Sequence, residues 1–314
     1  MINLNANYPI PTNPTWNVCD SSKFKAYTTC ERMYFYRYVL GWRRDFPSHD
    51  LVFGEAWHRA MKRLFDEGFS KKTIEKAFDD FLAYYRTNFS EDSDLNYIPK
   101  SPGDALKALI EYVTQYERQD HWEVLFTERA GTVLIDEGIP LHFRLDAVVR
   151  DENDRIFVID HKTTKWAAST WTEQFSLDFQ VYAYLHVLHC MYPCNPIGGL
   201  IINGTRFFKS KIEHIRVPIN KSLESLNAWF QEAQVLARKI KGDFKELSIT
   251  SSAVPVLLAF PRRTTQCVQY MRMCQFADFC SVWANPLRHV GDVPEGFKIE
   301  WWNPAEKETI ILAN

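Results

Sequence analysis

The chain has 314 residues, 46% of them hydrophobic and 15% aromatic, which suffices for one large domain or two small ones and predicts a soluble globular fold. Its formal net charge of −2 excludes the strongly basic balance of most tight nucleic-acid binders. Local basic surface is confined to short stretches such as Arg43-Arg44, Lys209–Lys211 and Arg262-Arg263, each of which reads first as an ordinary solvated face and second as a candidate phosphate contact.

The N-terminus, MINLNANYPIPTNP, lacks the basic, apolar and small-residue order of a secretory leader, and no run of eighteen apolar residues follows, so a cytoplasmic protein without a membrane partner is expected. From Ser21 to Gly41, aromatic and aliphatic residues recur at three- and four-residue steps and predict one helix, capped by Ser21 or Ser22. Gly54 to Phe65, Lys71 to Arg86 and Asp104 to Gln119 repeat the pattern, which makes the part up to about residue 120 helical. From Glu123 the segments EVLFTERA, GTVLIDEG, LHFRLDAVVRD and RIFVIDHKTT are short, rich in Val, Ile, Phe and Leu, and separated by turn residues. They predict a strand meander. Glu173 to Cys190 returns to helical spacing, IGGLIING and KIEHIRVPI give two further strands, and Lys221 to Lys241 a long helix. The order predicts an α/β fold with a core at about 121–245 and a Cys-rich segment at about 259–290, and no linker or repeat divides it, so one domain over 1–314 is expected.

Chemistry concentrates in two strands. Asp146 lies in FRLDAVV, and fourteen residues later a second strand ends in Asp160-His161-Lys162. In extended chain i and i+2 share a face, so Asp160 and Lys162 project together while His161 points away. Two carboxylates and an ammonium that converge suit a hard divalent cation and hydrolysis of a phosphodiester. Taken alone, Asp followed by Asp-x-Lys is also what a charged hairpin collects for solubility.

The ordered set of segments resembles the PD-(D/E)XK nuclease superfamily, and within it the RecB-like and AddB-like exonucleases, including the CRISPR-associated RecB-like exonucleases. GEAWH, residues 54–58, is similar to the helical motif whose histidine, here His58, is a metal ligand. Glu128 resembles the glutamate that lines the site, RLDAVV supplies Asp146, and VIDHKTTK supplies Asp160 as second ligand and Lys162 as catalytic lysine. QVYAY matches the family's Q-x-x-x-Y helix, with Gln180 and Tyr184 one turn apart. The resemblance implies a restriction-endonuclease-like mixed central sheet flanked by helices, Mg²⁺ or Mn²⁺ at His58, Asp146, Asp160 and the His161 carbonyl, and DNA as substrate. Exonuclease action on single- or double-stranded ends, in recombination, repair or CRISPR and phage DNA processing, is the expected activity. A structure-selective endonuclease and a non-catalytic DNA-binding module are the alternatives. No G-x-x-x-x-G-K-[ST] loop is found, so a helicase motor or recombination factor is expected as a separate partner.

Seven cysteines without a leader predict free thiols or metal ligation rather than a disulfide framework. Cys30 and the late Cys267, Cys274 and Cys280 resemble the family's [4Fe–4S] staple, which implies that they hold such a cluster. By ligand chemistry alone zinc accepts four thiolates too, and buried cysteine is also a common small apolar residue. Cys19, Cys190 and Cys194 receive no role.

Overall fold

The structure, a computed structural model, describes residues 1–136, 139–166, 169–269, 272–307 and 310–311. It opens with β1 (Cys19–Asp20) and α1 (Ser21–Thr29), whose cap is Asp20 and not Ser21 or Ser22: the Asp20 carboxylate accepts from the Lys23 N–H at 2.8 Å. The expected single helix to Gly41 is broken at Cys30, whose backbone is extended, before α2 (Glu31–Tyr34) and a π-turn over Phe35–Val39. Local and long-range bonds compete with the ladder here. Thr29 Oγ1 donates back to the Lys25 carbonyl, and the Arg32 N–H bonds to the Pro261 carbonyl instead of continuing a helix through Cys30.

After β2 (Trp42–Arg44) come α3 (His49–Glu67), α4 (Lys71–Tyr85) and α5 (Pro102–Tyr116), each extending or trimming its predicted span. Ser70 caps α4, and Ser101 with Asp104 forms a reciprocal capping box on α5. Next are β3 (Glu123–Asp136), β4 (Ile139–Arg150) and β5 (Ile156–Thr164). β3 unites the two strands expected from EVLFTERA and GTVLIDEG; the last two residues of that segment, 137 and 138, lie outside the described residues.

The helix expected from Glu173 is divided into α6 (Thr170–Glu173), a 3₁₀ turn at Gln174–Leu177 and α7 (Phe179–Met191). Asp178 causes the division, with extended backbone and a side chain that caps the new helix through the Gln180 N–H at 2.8 Å. β6 (Ile197–Phe207), β7 (Ile212–Ile219), α8 (Leu223–Ile249), β8 (Val268–Gln269), β9 (Arg272–Met273), α9 (Ala277–Val282), β10 (Phe297–Ile299) and β11 (Ile310–Ile311) complete the chain.

The chain divides into two compact units, each discontinuous in sequence: residues 1–46, 131–143 and 227–314, and residues 47–130 and 144–226. In the second unit the strand order is β3-β4-β5-β6-β7. β4 and β5 are antiparallel, β5 and β6 parallel, β6 and β7 antiparallel. The sheet is therefore mixed rather than a meander, because α7 carries the chain across before β6. Ala147, Val149, Ile159 and Ile201 pack with the apolar stripe of α3 (Phe53, Trp57, Met61, Leu64) in one buried cluster, and α7 packs on β5 and β6. Gly204 pairs with Lys162 in register, and a Cβ on it would come within 2.3 Å of the Trp171 ring. This is the mixed sheet flanked by helices that the resemblance implies.

In the first unit β1 runs parallel to β4 at Cys19 and Leu141, and β11 parallel to β3 at Ile310 and Gly131. Its core is aromatic: Trp16, Tyr34, Phe35, Tyr36, Trp42 and Phe260 are all at most 1% exposed. Among the described residues, no helix is long and apolar enough to cross a membrane.

Candidate active site

Every residue singled out for metal-dependent chemistry lies in the second unit. β4 and β5 bring the carboxylates together: Ala147 pairs with Ile159, and Asp146 and Asp160 are the next residues along the two strands. Both are buried, at 4% and 2% exposure. The alternation read from the sequence holds. Lys162 Nζ donates to Asp160 Oδ1 at 2.9 Å and to Gln180 Oε1 at 3.0 Å, while His161 faces the other side of the sheet. Gln180 Nε2 in turn donates to the Tyr184 hydroxyl at 2.8 Å, so the pair one turn apart on α7 holds the ammonium in a chain of bonds.

His58 comes from α3. Its Nδ1 lies 3.3 Å from Asp146 Oδ1 and 3.9 Å from Glu128 Oε1. That nitrogen is buried and makes no hydrogen bond of proper angle. Among the described residues, His58, Glu128 and Asp146 are the group of three potential ligands whose donor atoms all lie within 4.8 Å of one another. A buried, unsatisfied imidazole nitrogen facing two carboxylates fits a divalent cation that accepts both nitrogen and oxygen, as Mn²⁺ does and Mg²⁺ does less readily. Asp160 is turned toward Lys162 in this arrangement, beside the group rather than within it.

Glu128 has a φ of +46°, a left-handed conformation that a non-glycine residue adopts in a strand only when its surroundings hold it there. Its two oxygens face different partners. Oε1 is turned to His58 and Oε2 lies 3.5 Å from Arg144 Nε, while Arg144 NH2 reaches Glu55 Oε2 at 3.4 Å. Glu55 was missed by sequence reasoning, whereas Arg144 stands out in the sequence as the arginine two residues before Asp146. Strand parity puts Arg144 and Asp146 on one face.

The protonation pattern follows from burial and charge. Burial alone would lower the His58 pKa, but Asp146 and then Glu128 draw it up to about 9. Burial would raise Asp146, yet His58, His161 and Lys162 hold it well below the usual carboxylate range. Asp160 is raised by its burial, with Lys162 opposing and Asp146 adding to the rise. Lys162 stays charged because Asp160 and Asp146 outweigh its burial, and burial raises Glu128, with Asp146 reinforcing it.

Behind β5 a second buried group braces the site. His161, Asn203 and Arg216 are directly opposite one another across β5, β6 and β7. Asn203 Nδ2 donates to His161 Nδ1 at 2.9 Å and to the Tyr112 hydroxyl at 3.0 Å, and Arg216 Nε donates to Asn203 Oδ1 at 3.4 Å. The Arg216 guanidinium forks onto Asp120 at 2.5 and 2.6 Å and stacks 3.6 Å over the Tyr116 ring. The peptide N–H of His161 donates to Asp146 Oδ2 at 2.8 Å, which ties this row to the carboxylate. Burial lowers the His161 pKa to about 3, so its ring is neutral.

The four cysteines singled out in the sequence come together in the first unit. Cys30, Cys267, Cys274 and Cys280 line one cavity of about 320 Å³ with Met33 and Phe276 among its walls. All are free thiols, and the Arg263 N–H points at Cys30 Sγ at 3.4 Å. Burial raises the Cys274 and Cys280 thiols, and neighbouring cysteines add to it. Among the described residues, no three of these sulfurs lie within 4.8 Å of one another.

A family model described as the PD-(D/E)XK nuclease superfamily matches residues 21–281. Among solved structures, one described as "Crystal structure of SSO0001" is similar at 16% identity over 59% of this chain and 73% of that one, with a TM-score of 0.26. No curated protein matches the chain.

Proposed function

Because the chain belongs to the PD-(D/E)XK nuclease superfamily, we propose that it is a Mg²⁺- or Mn²⁺-dependent deoxyribonuclease of the RecB-like and AddB-like kind, acting as an exonuclease on DNA ends. The observation that carries the reading is the convergence of Asp160, Lys162 and Gln180 at 2.9 and 3.0 Å beside the facing pair of His58 and Asp146 at 3.3 Å. His58, Asp146, Glu128 and Asp160 would hold the cation, with the His161 carbonyl as a further oxygen donor. A bound divalent cation supplies positive charge at the scissile phosphate and eases deprotonation of the attacking water. The Lys162 ammonium, fixed by Asp160 and Gln180, orients that water and offsets charge developing on the phosphate oxygens. Gln180 and Tyr184 keep the ammonium from swinging away.

The same reading gives Cys30, Cys267, Cys274 and Cys280 a [4Fe–4S] cluster. Four thiols around one cavity of about 320 Å³ support it. Sulfurs bound to one zinc ion would sit about 3.8 Å apart, given Zn–S bonds of about 2.3 Å. Among the described residues no three of these sulfurs lie mutually within 4.8 Å, so in every three at least one pair is farther apart than one zinc ion would hold it, which supports the larger group.

The test is incubation of the protein with linear, circular and single-stranded DNA in Mg²⁺ or Mn²⁺, with Lys162→Ala as control. Loss of linear but not circular DNA supports the exonuclease, and cut circles replace it with an endonuclease. No metal-dependent cleavage, or undiminished cleavage by the variant, removes the proposal. Iron and sulfide analysis of anaerobically purified protein decides the cluster, and zinc alone would refute it.

A further inference from the structure

Arg144 contacts Glu128 from the side away from His58. Its Nε lies 3.5 Å from Glu128 Oε2, and its NH2 lies 3.4 Å from Glu55 Oε2, while Glu128 Oε1 faces His58 Nδ1 at 3.9 Å. Glu128 thus stands between an imidazole–carboxylate group that can take a cation and a guanidinium that already is one. A guanidinium cannot be deprotonated in a protein, so this charge is permanent.

The balance of charge then restricts what else the site can take. Glu55 has a second cation in Arg59, 3.9 Å away, and the two cancel. The groups within ion-pair distance at the centre are three carboxylates, Glu128, Asp146 and Asp160, and two cations, Arg144 and Lys162, with Asp178 acting on Lys162 from farther away. The central groups sum to one negative charge once a bound cation has displaced the His58 proton. One divalent cation and one phosphodiester bring that sum to zero; a second divalent cation would leave two positive charges in a mostly buried site, which is costly.

We infer that Arg144 is a resident cation standing where a second divalent ion would otherwise sit, and that it confines the site to a single divalent ion by engaging the outer oxygen of Glu128. The inference rests on the metal reading above and deepens it. It makes Arg144 a positioning residue: it acts through Glu128.

The test counts ions rather than turnover. Mn²⁺ titration of the full chain, with free ion followed by electron paramagnetic resonance, is expected to give one Mn²⁺ per wild-type chain. Arg144→Gln is expected to take up two, and Arg144→Lys, which keeps the charge, to return to one. Two Mn²⁺ per wild-type chain overturns the inference without recourse to any variant, and so does an Arg144→Gln chain that still binds one. No Mn²⁺ on a folded wild-type chain instead overturns the metal reading itself, and the inference with it.

Discussion

The Lys162 ammonium and the Gln180 side-chain carbonyl are 3.0 Å apart, joining β5 to α7. This bond is the link between two motifs that lie eighteen residues apart. A hydrogen bond to a charged group contributes roughly 1.5–3 kcal/mol. Gln180→Leu is therefore expected to lower kcat on linear DNA by about ten- to a hundredfold, and Tyr184→Phe by less, because its hydroxyl acts only through Gln180. A Gln180→Leu enzyme with wild-type kcat would show that the ammonium needs no holder.

The left-handed backbone of Glu128 predicts a trade between stability and metal binding. Such a conformation costs a non-glycine residue about 1–2 kcal/mol. Glu128→Gly removes that cost together with a carboxylate, so the expected result is Mn²⁺ affinity reduced at least about tenfold with Tm held or raised. A Tm lowered by several degrees would mean that the carboxylate stabilises the fold and the backbone is not strained.

Asn203 bonds with His161, Tyr112 and Arg216 at once. Asn203→Leu leaves three buried polar groups short of a partner, at about 1–3 kcal/mol for each group fully deprived. Urea unfolding of that variant is expected to show a loss of at least about 2 kcal/mol. Arg216→Lys keeps a charge opposite Asp120 but loses the fork and the stacking on Tyr116, and a smaller loss is expected. Unchanged unfolding of Asn203→Leu would argue that water replaces the amide.

Acid sensitivity follows from His214, which bonds with Thr205 Oγ1 at 3.1 Å. Burial lowers its pKa from 6.5 to about 4, with Arg216 adding to the effect. Between those values the unfolded chain binds the proton and the folded one does not. Stability is thus full above pH 6.5 and falls as pH drops toward 4, by about 3 kcal/mol at most from this residue. His214→Gln should flatten the pH dependence of Tm in that window, and an unaltered slope would assign the acid sensitivity to other groups.

What the sequence disclosed was local. Strand parity places Asp160 with Lys162 and turns His161 away, helical spacing aligns Gln180 with Tyr184, and all three relations are present in the structure. Relations that depend on which strands become neighbours were not legible. Asn203 and Arg216 read as ordinary strand residues until β6 and β7 are laid beside β5, and Glu55 meets Arg144 only when α3 is placed against β4. Element ends failed where a side chain or a distant carbonyl offered a backbone group a better partner, as at Cys30 and Asp178. The run from Glu123 to Asp136 was read as two strands, because Gly131 looks like punctuation yet sits within a strand paired to Ile310.

The thiol-lined cavity draws its walls from two stretches far apart in sequence: the Arg263 N–H and Cys30 Sγ that meet there are 233 positions apart. At a synthesis rate of about 5–20 residues per second, Cys30 would wait roughly ten to fifty seconds on the ribosome before its partners exist. Nascent chains interrupted in that interval carry a lone thiol with nothing to enclose it. Synthesis of the stretch up to Ser281, rather than folding of the sheet, thus sets the earliest moment at which this part of the molecule can form.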